Sequence, residues 1–299
     1  MITHLTFIDK PTTPQISPTT VEAGHRETMT CTSTSTSTPS PTGQAMLYTW
    51  KVNNGTLSDP RFTTSANTLT INPVRKEDKD ILFQCKAREN QGLSSDTTAI
   101  ILTVHYSPQG KPVMLFSTMT YVTGSTIALS CSITEDGNPR VTWTWKCGSR
   151  TFNNGIITSV GQSNLTMVVT KTDNNQPCTC TASSSVGSYS QTCDPAVLDI
   201  RYSPQGKPVM SYNTLTHLLG SNIVLSCSIL DDGNPQATWT WKCGNRTFNS
   251  GITNSVGRSN LTFVATMAEN NQPCTCTASS PLGSYSQTSD PAVLDIRCK

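Results

Sequence analysis

The chain repeats itself. The octapeptide SPQGKPVM at residues 107–114 recurs at 203–210. Cys131, Trp145, Cys147, Cys178 and Cys180 recur as Cys227, Trp241, Cys243, Cys274 and Cys276, at a constant offset of 96 residues without a gap. About 70% of the paired positions are identical, the mark of a tandem duplication. A more divergent unit precedes them, anchored by Cys31, Trp50 and Cys85. It closes on Leu102-Thr-Val-His-Tyr-Ser-Pro108 as the second closes on Leu198-Asp-Ile-Arg-Tyr-Ser-Pro204. Helical solenoids repeat every 20 to 50 residues or so, roughly half this period, which instead indicates whole domains in tandem.

Inside each unit the local signals are those of strands. Residues 126–132, 141–147, 165–170 and 179–183 are rich in β-branched and aromatic side chains. Turn clusters such as Asp136-Gly-Asn-Pro139 and Asp173-Asn-Asn-Gln-Pro177 separate them. No window carries a helical stripe. Short strands at regular spacing around a Cys, Trp, Cys set are the sequence form of a β-sandwich. Residues 1–11 read as an N-terminal extension, 12–106 as a divergent first domain, 107–202 as a second, and 203–299 as its near duplicate.

On these residues the three units resemble immunoglobulin domains of the C2 type found in cell-adhesion and immune-receptor ectodomains. The resemblance implies an all-β fold of three tandem immunoglobulin-like β-sandwiches in an elongated array. It pairs the cysteine of strand B with that of strand F: Cys31 with Cys85, Cys131 with Cys180 and Cys227 with Cys276. The strand C tryptophan would pack on each bridge. The second and third units carry an extra pair. Residues two apart share a strand face, and strands C and F are antiparallel neighbours in the resembling fold, so Cys147 should meet Cys178 and Cys243 should meet Cys274. Aligned on Trp50 and Cys85, the first unit has Val52 and Phe83 at these places. The swapped connectivity, Cys131 with Cys178 and Cys147 with Cys180, stays open. Cys178 also replaces the tyrosine of the family's corner motif. A metal or redox reading of Cys178-Thr-Cys180 would consume the sandwich bridge.

Cys193 and Cys298 remain, each an oddity against its duplicate position, Ser289 and Tyr202. Each is open between a free thiol, a bond to a neighbouring domain, and an intermolecular bridge making a homodimer. Twelve cysteines require an oxidising compartment, so the chain is expected to be extracellular, secreted or the ectodomain of a membrane protein. Residues 1–10 lack the apolar stretch of a secretory leader, which suggests a mature or excised form.

Only 13% of residues are charged, against about 25% in ordinary soluble proteins, and the net charge is +2. Neither nucleic-acid binding nor membrane insertion by this segment is expected. Glycans would compensate for the sparse charge, and Asn54, Asn164, Asn245 and Asn260 each open an acceptor sequon. Residues 30–42, nearly all Ser, Thr and Pro, read as an O-glycosylated segment or a flexible loop. The scattered His4, His25, His105 and His217 and the acidic pairs Glu135-Asp136 and Asp231-Asp232 form no catalytic or calcium-binding constellation. The chain is read as a binding module without cofactors rather than an enzyme, with a protein or glycan partner on a cell or pathogen surface. The divergent first domain is its expected reader, through Lys51, Arg88, Glu89 and Asn90 near a charged hairpin (Lys86-Ala-Arg-Glu-Asn-Gln91), with the duplicated domains as a rigid spacer. A stalk within a larger receptor and a soluble defence molecule are the alternatives.

Overall fold

The computed structural model describes residues 9–38, 45–89, 92–116, 119–283 and 285–298. Among the described residues of the first domain nine strands follow one another: β1 (Gln15–Ser17), β2 (Thr20–Glu22), β3 (Glu27–Thr32), β4 (Met46–Val52), β5 (Phe62–Ser65), β6 (Thr68–Ile71), β7 (Leu82–Glu89), β8 (Thr98–Ile101) and β9 (Thr103–His105). One sheet runs β1-β3-β6-β5 and the facing one β4-β7-β8, while β2 pairs β9 in parallel. Alternation builds the layer between them. On β7, Phe83, Cys85 and Ala87 point inward and are buried, while Lys86 and Arg88 face out. Met29, Leu69 and Ile71 come from the opposite sheet to meet them.

The second domain has the same plan: β10 (Val113–Leu115), β11 (Thr120–Val122), β12 (Thr126–Ser132), β13 (Thr142–Cys147), β14 (Arg150–Phe152), β15 (Ile156–Ser159), β16 (Gln162–Val168), β17 (Pro177–Ser183), β18 (Ser190–Thr192), β19 (Ala196–Val197) and β20 (Asp199–Arg201). Its sheets are β10-β12-β16-β15 and β14-β13-β17-β18, with β19 also on β17 and β11 parallel to β20. Trp145, fully buried, fills the centre and donates its indole N–H to Ser163 Oγ at 2.9 Å. Burying so large a ring contributes about 3 kcal/mol, provided its N–H finds a partner. The third domain repeats this arrangement, with Trp241 bonded to Ser259 Oγ at 2.9 Å. In the first domain Trp50 Nε1 is buried and has no hydrogen-bond partner among the described residues. The only helical segments among the described residues are short 3-10 turns.

A second tie sits where each domain's bottom turn crosses the sheets. Asp173, buried, accepts from the Thr170 backbone N–H and hydroxyl and from Arg150 at 2.9 Å. Burial pushes its carboxyl up, but these donors outweigh burial and hold it below its ordinary 3.8. Arg61 with Asp78 and Arg246 with Glu269 repeat the arrangement.

Candidate functional site

Three features carry the chemistry of this chain: its sulfurs, its domain junctions and the outer face of the first domain. The sulfurs are placed by strand register. Cys31 is joined to Cys85, Cys131 to Cys180 and Cys227 to Cys276, each linking the two sheets of one sandwich. Cys147 lies directly opposite Cys178 on β13 and β17 and is joined to it with a Cα separation of 4.0 Å, and Cys243 is joined to Cys274 in the same way. The pair is a non-hydrogen-bonded one, with Gly148 N–H donating to Pro177 O just beyond it, which brings the two chains close. Val52 faces Phe83 in the same register of the first domain, an apolar contact in place of a bond.

Cys298 is exposed, whereas Cys193 is buried, only 4% exposed. Its sulfur, with those of Cys131 and Cys180, forms a set lying within 4.8 Å of one another. An intermolecular bridge through Cys193 is therefore out of reach of a partner, because the thiol points into the sandwich. Cys193 Sγ accepts the Cys180 backbone N–H at 3.1 Å, and in the third domain Ser289 Oγ accepts from Cys276 in its place.

The junctions are built from the Gly-Asn-Pro turns. Asn138 exchanges backbone hydrogen bonds with Tyr106, and Asn234 does so with Tyr202, so each linker is clamped to the turn of the following domain. Gly137 and Gly233 have φ of 77° and 78°, and a Cβ at either would stand 2.8 Å from the ring nitrogen of Pro108 or Pro204. Only glycine allows the turn to lie on the linker proline. An ion pair crosses each junction, Lys76 with Glu135 at 3.0 Å and Lys171 with Asp231 at 3.0 Å. The Glu135 carboxylate raises the Lys76 ammonium above its ordinary value.

The two junctions differ in one respect. Among the described residues the Asn138 amide donates to Val104 O alone, at 2.8 Å. The Asn234 amide reaches Asp199 Oδ1 at 2.8 Å, Ile200 O at 2.9 Å and Asn174 Oδ1 at 3.3 Å. The first domain has Lys79 and Thr103 where the second has Asn174 and Asp199. The acidic pairs of the sequence thus serve the junctions: Glu135 and Asp231 bind lysines, and buried Asp136 accepts backbone N–H groups of Val141 and Gly161.

On the first domain, register places Leu47 beside Arg88, Thr49 beside Lys86 and Lys51 beside Gln84 across β4 and β7. Lys51, Lys86 and Arg88 are exposed, and none forms an ion pair among the described residues. Glu89 departs from the sequence expectation. It is the next inward position after Cys85 and Ala87, is 4% exposed, and accepts from Ser37 Oγ at 3.1 Å, so it cannot contact a partner from the surface. Asn90 lies outside the described residues. So do residues 39–44 of the Ser/Thr-rich run. Its earlier part is held down, with Thr34 N–H donating to Thr12 Oγ1 and the Thr36 hydroxyl to Lys10 O. Of the sequon asparagines, Asn54 and Asn245 are exposed and Asn164 and Asn260 half-buried on their strands. Asn54 borders a shallow groove shared with Lys51, Gln84 and Lys86.

Paired sheets tied by a buried disulfide, with a tryptophan on it and the last strand running into the next unit, define a class of tandem β-sandwich proteins. The chain belongs to the immunoglobulin superfamily as tandem immunoglobulin-like domains. The immunoglobulin domain model matches residues 17–98 and the immunoglobulin I-set domain model residues 113–197. The chain is 25% identical to nephrin of Rattus norvegicus over 59% of its length and 14% of that protein. To contactin-4 of Rattus norvegicus it is 26% identical over 65% of its length and 18% of that protein, and to human hemicentin-1 26% identical over 78% and 4%. It therefore spans less than a fifth of these relatives. The I67-I69 fragment from the titin I-band matches its fold, with a TM-score of 0.59, 21% identity and 98% of both chains covered.

Proposed function

We propose that this chain is an extracellular recognition or adhesion segment in which the first domain reads a partner and the second and third domains carry it as a stiff, disulfide-reinforced spacer. The observation that carries the reading is the row of three cations, Lys51, Lys86 and Arg88, on the exposed face of β4 and β7. At the matching places the second domain has Lys146, Thr181 and Ser183, and the third Lys242, Thr277 and Ser279. The duplicated domains thus keep one cation each where the first has three. A row of cations without ion-pair partners among the described residues favours an acidic protein or an anionic glycan as partner. Likeness to nephrin and contactin supports a role at cell surfaces, in a secreted protein or a membrane-anchored ectodomain.

The test uses the full chain and the double charge reversal K86E/R88E, each passed over immobilised heparin at rising salt and over cells of the source tissue. Both side chains are exposed on a strand whose opposite face makes the core, so the variant keeps the fold. Loss of heparin retention and of cell binding supports the reading, and retention equal to the parent's would refute it. The stalk reading is favoured instead by the two bonded junctions, and it is the one left if cell binding follows a different domain.

A further inference from the structure

The second domain holds something its duplicate does not: a free, buried thiol against its own sandwich bridge. Cys131 on β12, Cys180 on β17 and Cys193 just after β18 bring their sulfurs within 4.8 Å of one another. Cys193 is fastened there on both sides, its N–H donating to Cys180 O at 3.0 Å and its sulfur accepting from Cys180 N. The third domain shows that nothing in the fold demands a sulfur at this place. Ser289 sits there with the same two hydrogen bonds at 2.9 and 3.2 Å.

We propose that Cys131, Cys180 and Cys193 form a thiol–disulfide exchange unit, in which the bridge of the second domain moves from Cys131–Cys180 to Cys180–Cys193. The Cys193 thiolate attacks Cys180 Sγ. The Cys180–Cys193 bond forms as the Cys131–Cys180 bond breaks, and the electron pair leaves on the Cys131 sulfur, which takes up the proton that Cys193 released. One thiol and one disulfide are present before and after, so no oxidant or reductant is consumed.

What changes is the mechanical role of the bond. Cys131–Cys180 ties the two sheets together across 49 residues of chain, whereas Cys180–Cys193 ties neighbouring strands of one sheet across 13. After exchange the two sheets of the second domain are held to each other by packing alone, since Cys147–Cys178 also lies within a single sheet. The chain between Cys131 and Cys147 can then be drawn out under tension, while the third domain stays locked. The extra bridge keeps the exchanged sheet together, which is why the movement changes a tether instead of unfolding the domain.

Burial raises the Cys193 thiol above its ordinary value, and the charged groups facing it are Asp194, which raises it further, and Lys111, which lowers it. The exchange therefore gains about tenfold in rate per pH unit until the thiol titrates. The experiment follows the position of the free thiol in the full chain. After incubation at pH 6.0 or 8.5, the protein is quenched in acid and denatured. Its free thiols are labelled, the disulfides are then reduced, and the released thiols take a second label. Cys298, exposed, is the internal standard. The first label is expected on Cys193 and, growing with time at pH 8.5, on Cys131. In C193S, the arrangement already present at Ser289, no first label reaches Cys131 or Cys180. First label confined to Cys193 after prolonged incubation at pH 8.5 overturns the proposal, and so does label on Cys180, which would mean a Cys131–Cys193 bridge.

Discussion

The side-chain amide of Asn234, in the third domain, donates to Asp199 of the second at 2.8 Å, and the hydrogen bond has no counterpart at the first junction, where Thr103 holds the place of Asp199. The second junction is accordingly the stiffer of the two. Removing the acceptor with Asp199→Ala leaves the Asn234 amide with Ile200 O and Asn174. A charge-assisted hydrogen bond contributes about 1.5 to 3 kcal/mol in a protected setting and less where solvent reaches it, as here. The variant should widen the distribution of angles between the second and third domains, read by single-molecule energy transfer between labels on them. Among the described residues Asn138 has one amide bond to lose, so the first junction serves as the flexible reference. Equal spreads at the two junctions of the parent chain would contradict this ordering.

The same contact sets a pH dependence. The Asn234 amide, first, and then the Thr120 hydroxyl and Arg201 hold the Asp199 carboxyl below its ordinary 3.8. Its folded value being depressed, the group's contribution is fully present above about pH 4 and is lost as pH falls through the folded value. Acidification below pH 4 should loosen the second junction at ionic strengths where the domains stay folded. Asp199→Asn should flatten that dependence in small-angle scattering between pH 5 and 2.5. A second junction whose dimensions stay constant over this range would remove Asp199 from the account.

The tryptophans offer an internal comparison. Trp145 Nε1 donates to Ser163 Oγ in a fully dry setting, whereas Trp50 in the first domain has no such acceptor among the described residues. Asn67 stands at the place matching Ser163, but its amide donates to Cys31 O instead. Ser163→Ala strands a buried donor, a loss of about 1 to 3 kcal/mol for the second domain. Urea unfolding should show this at the transition assigned to that domain. Ser259→Ala should show it for the third domain, bonded at the same distance.

Parity explains both what could be read from the sequence and what escaped it. Two-residue alternation from the paired cysteines is enough to set Cys147 against Cys178 and Val52 against Phe83, because register within a strand pair is local. The same counting, carried from Cys85 through Ala87, turns Glu89 inward, yet a charged hairpin reads as solvated, and the charge of Glu89 masked its position. The Gly-Asn-Pro turns read as turns and nothing more, since their partners lie on a different domain some 35 residues away. The arginine–carboxylate ties beneath the sheets, such as Arg150 with Asp173, were hidden in the same way within a polar turn cluster. Their spacing does recur at the 96-residue offset, as Arg246 with Glu269, and that recurrence was the available signal.

The extra bridges pose the last question, because the first domain folds to the same plan with none. Val52 and Phe83 occupy the register of Cys147 and Cys178, and Phe83 stacks edge-on against Phe62 with centroids 5.6 Å apart. An apolar contact therefore suffices for the architecture, and the bond adds stability by restricting the unfolded chain. Closing a loop of 31 residues contributes about 3 to 4 kcal/mol in the chain-entropy account. The double variant C147A/C178A should fold, keep the Cys131–Cys180 bridge, and melt the second domain about 15 to 20 °C lower, at roughly 5 °C per kcal/mol for a domain of this size. The third domain, with Cys243–Cys274 intact, should keep its own transition and so identify the shifted one in differential scanning calorimetry. If instead the second domain fails to fold while the matching variant C243A/C274A leaves the third folded, the bridge is required for folding in that domain, and the comparison with Val52 and Phe83 does not extend to it.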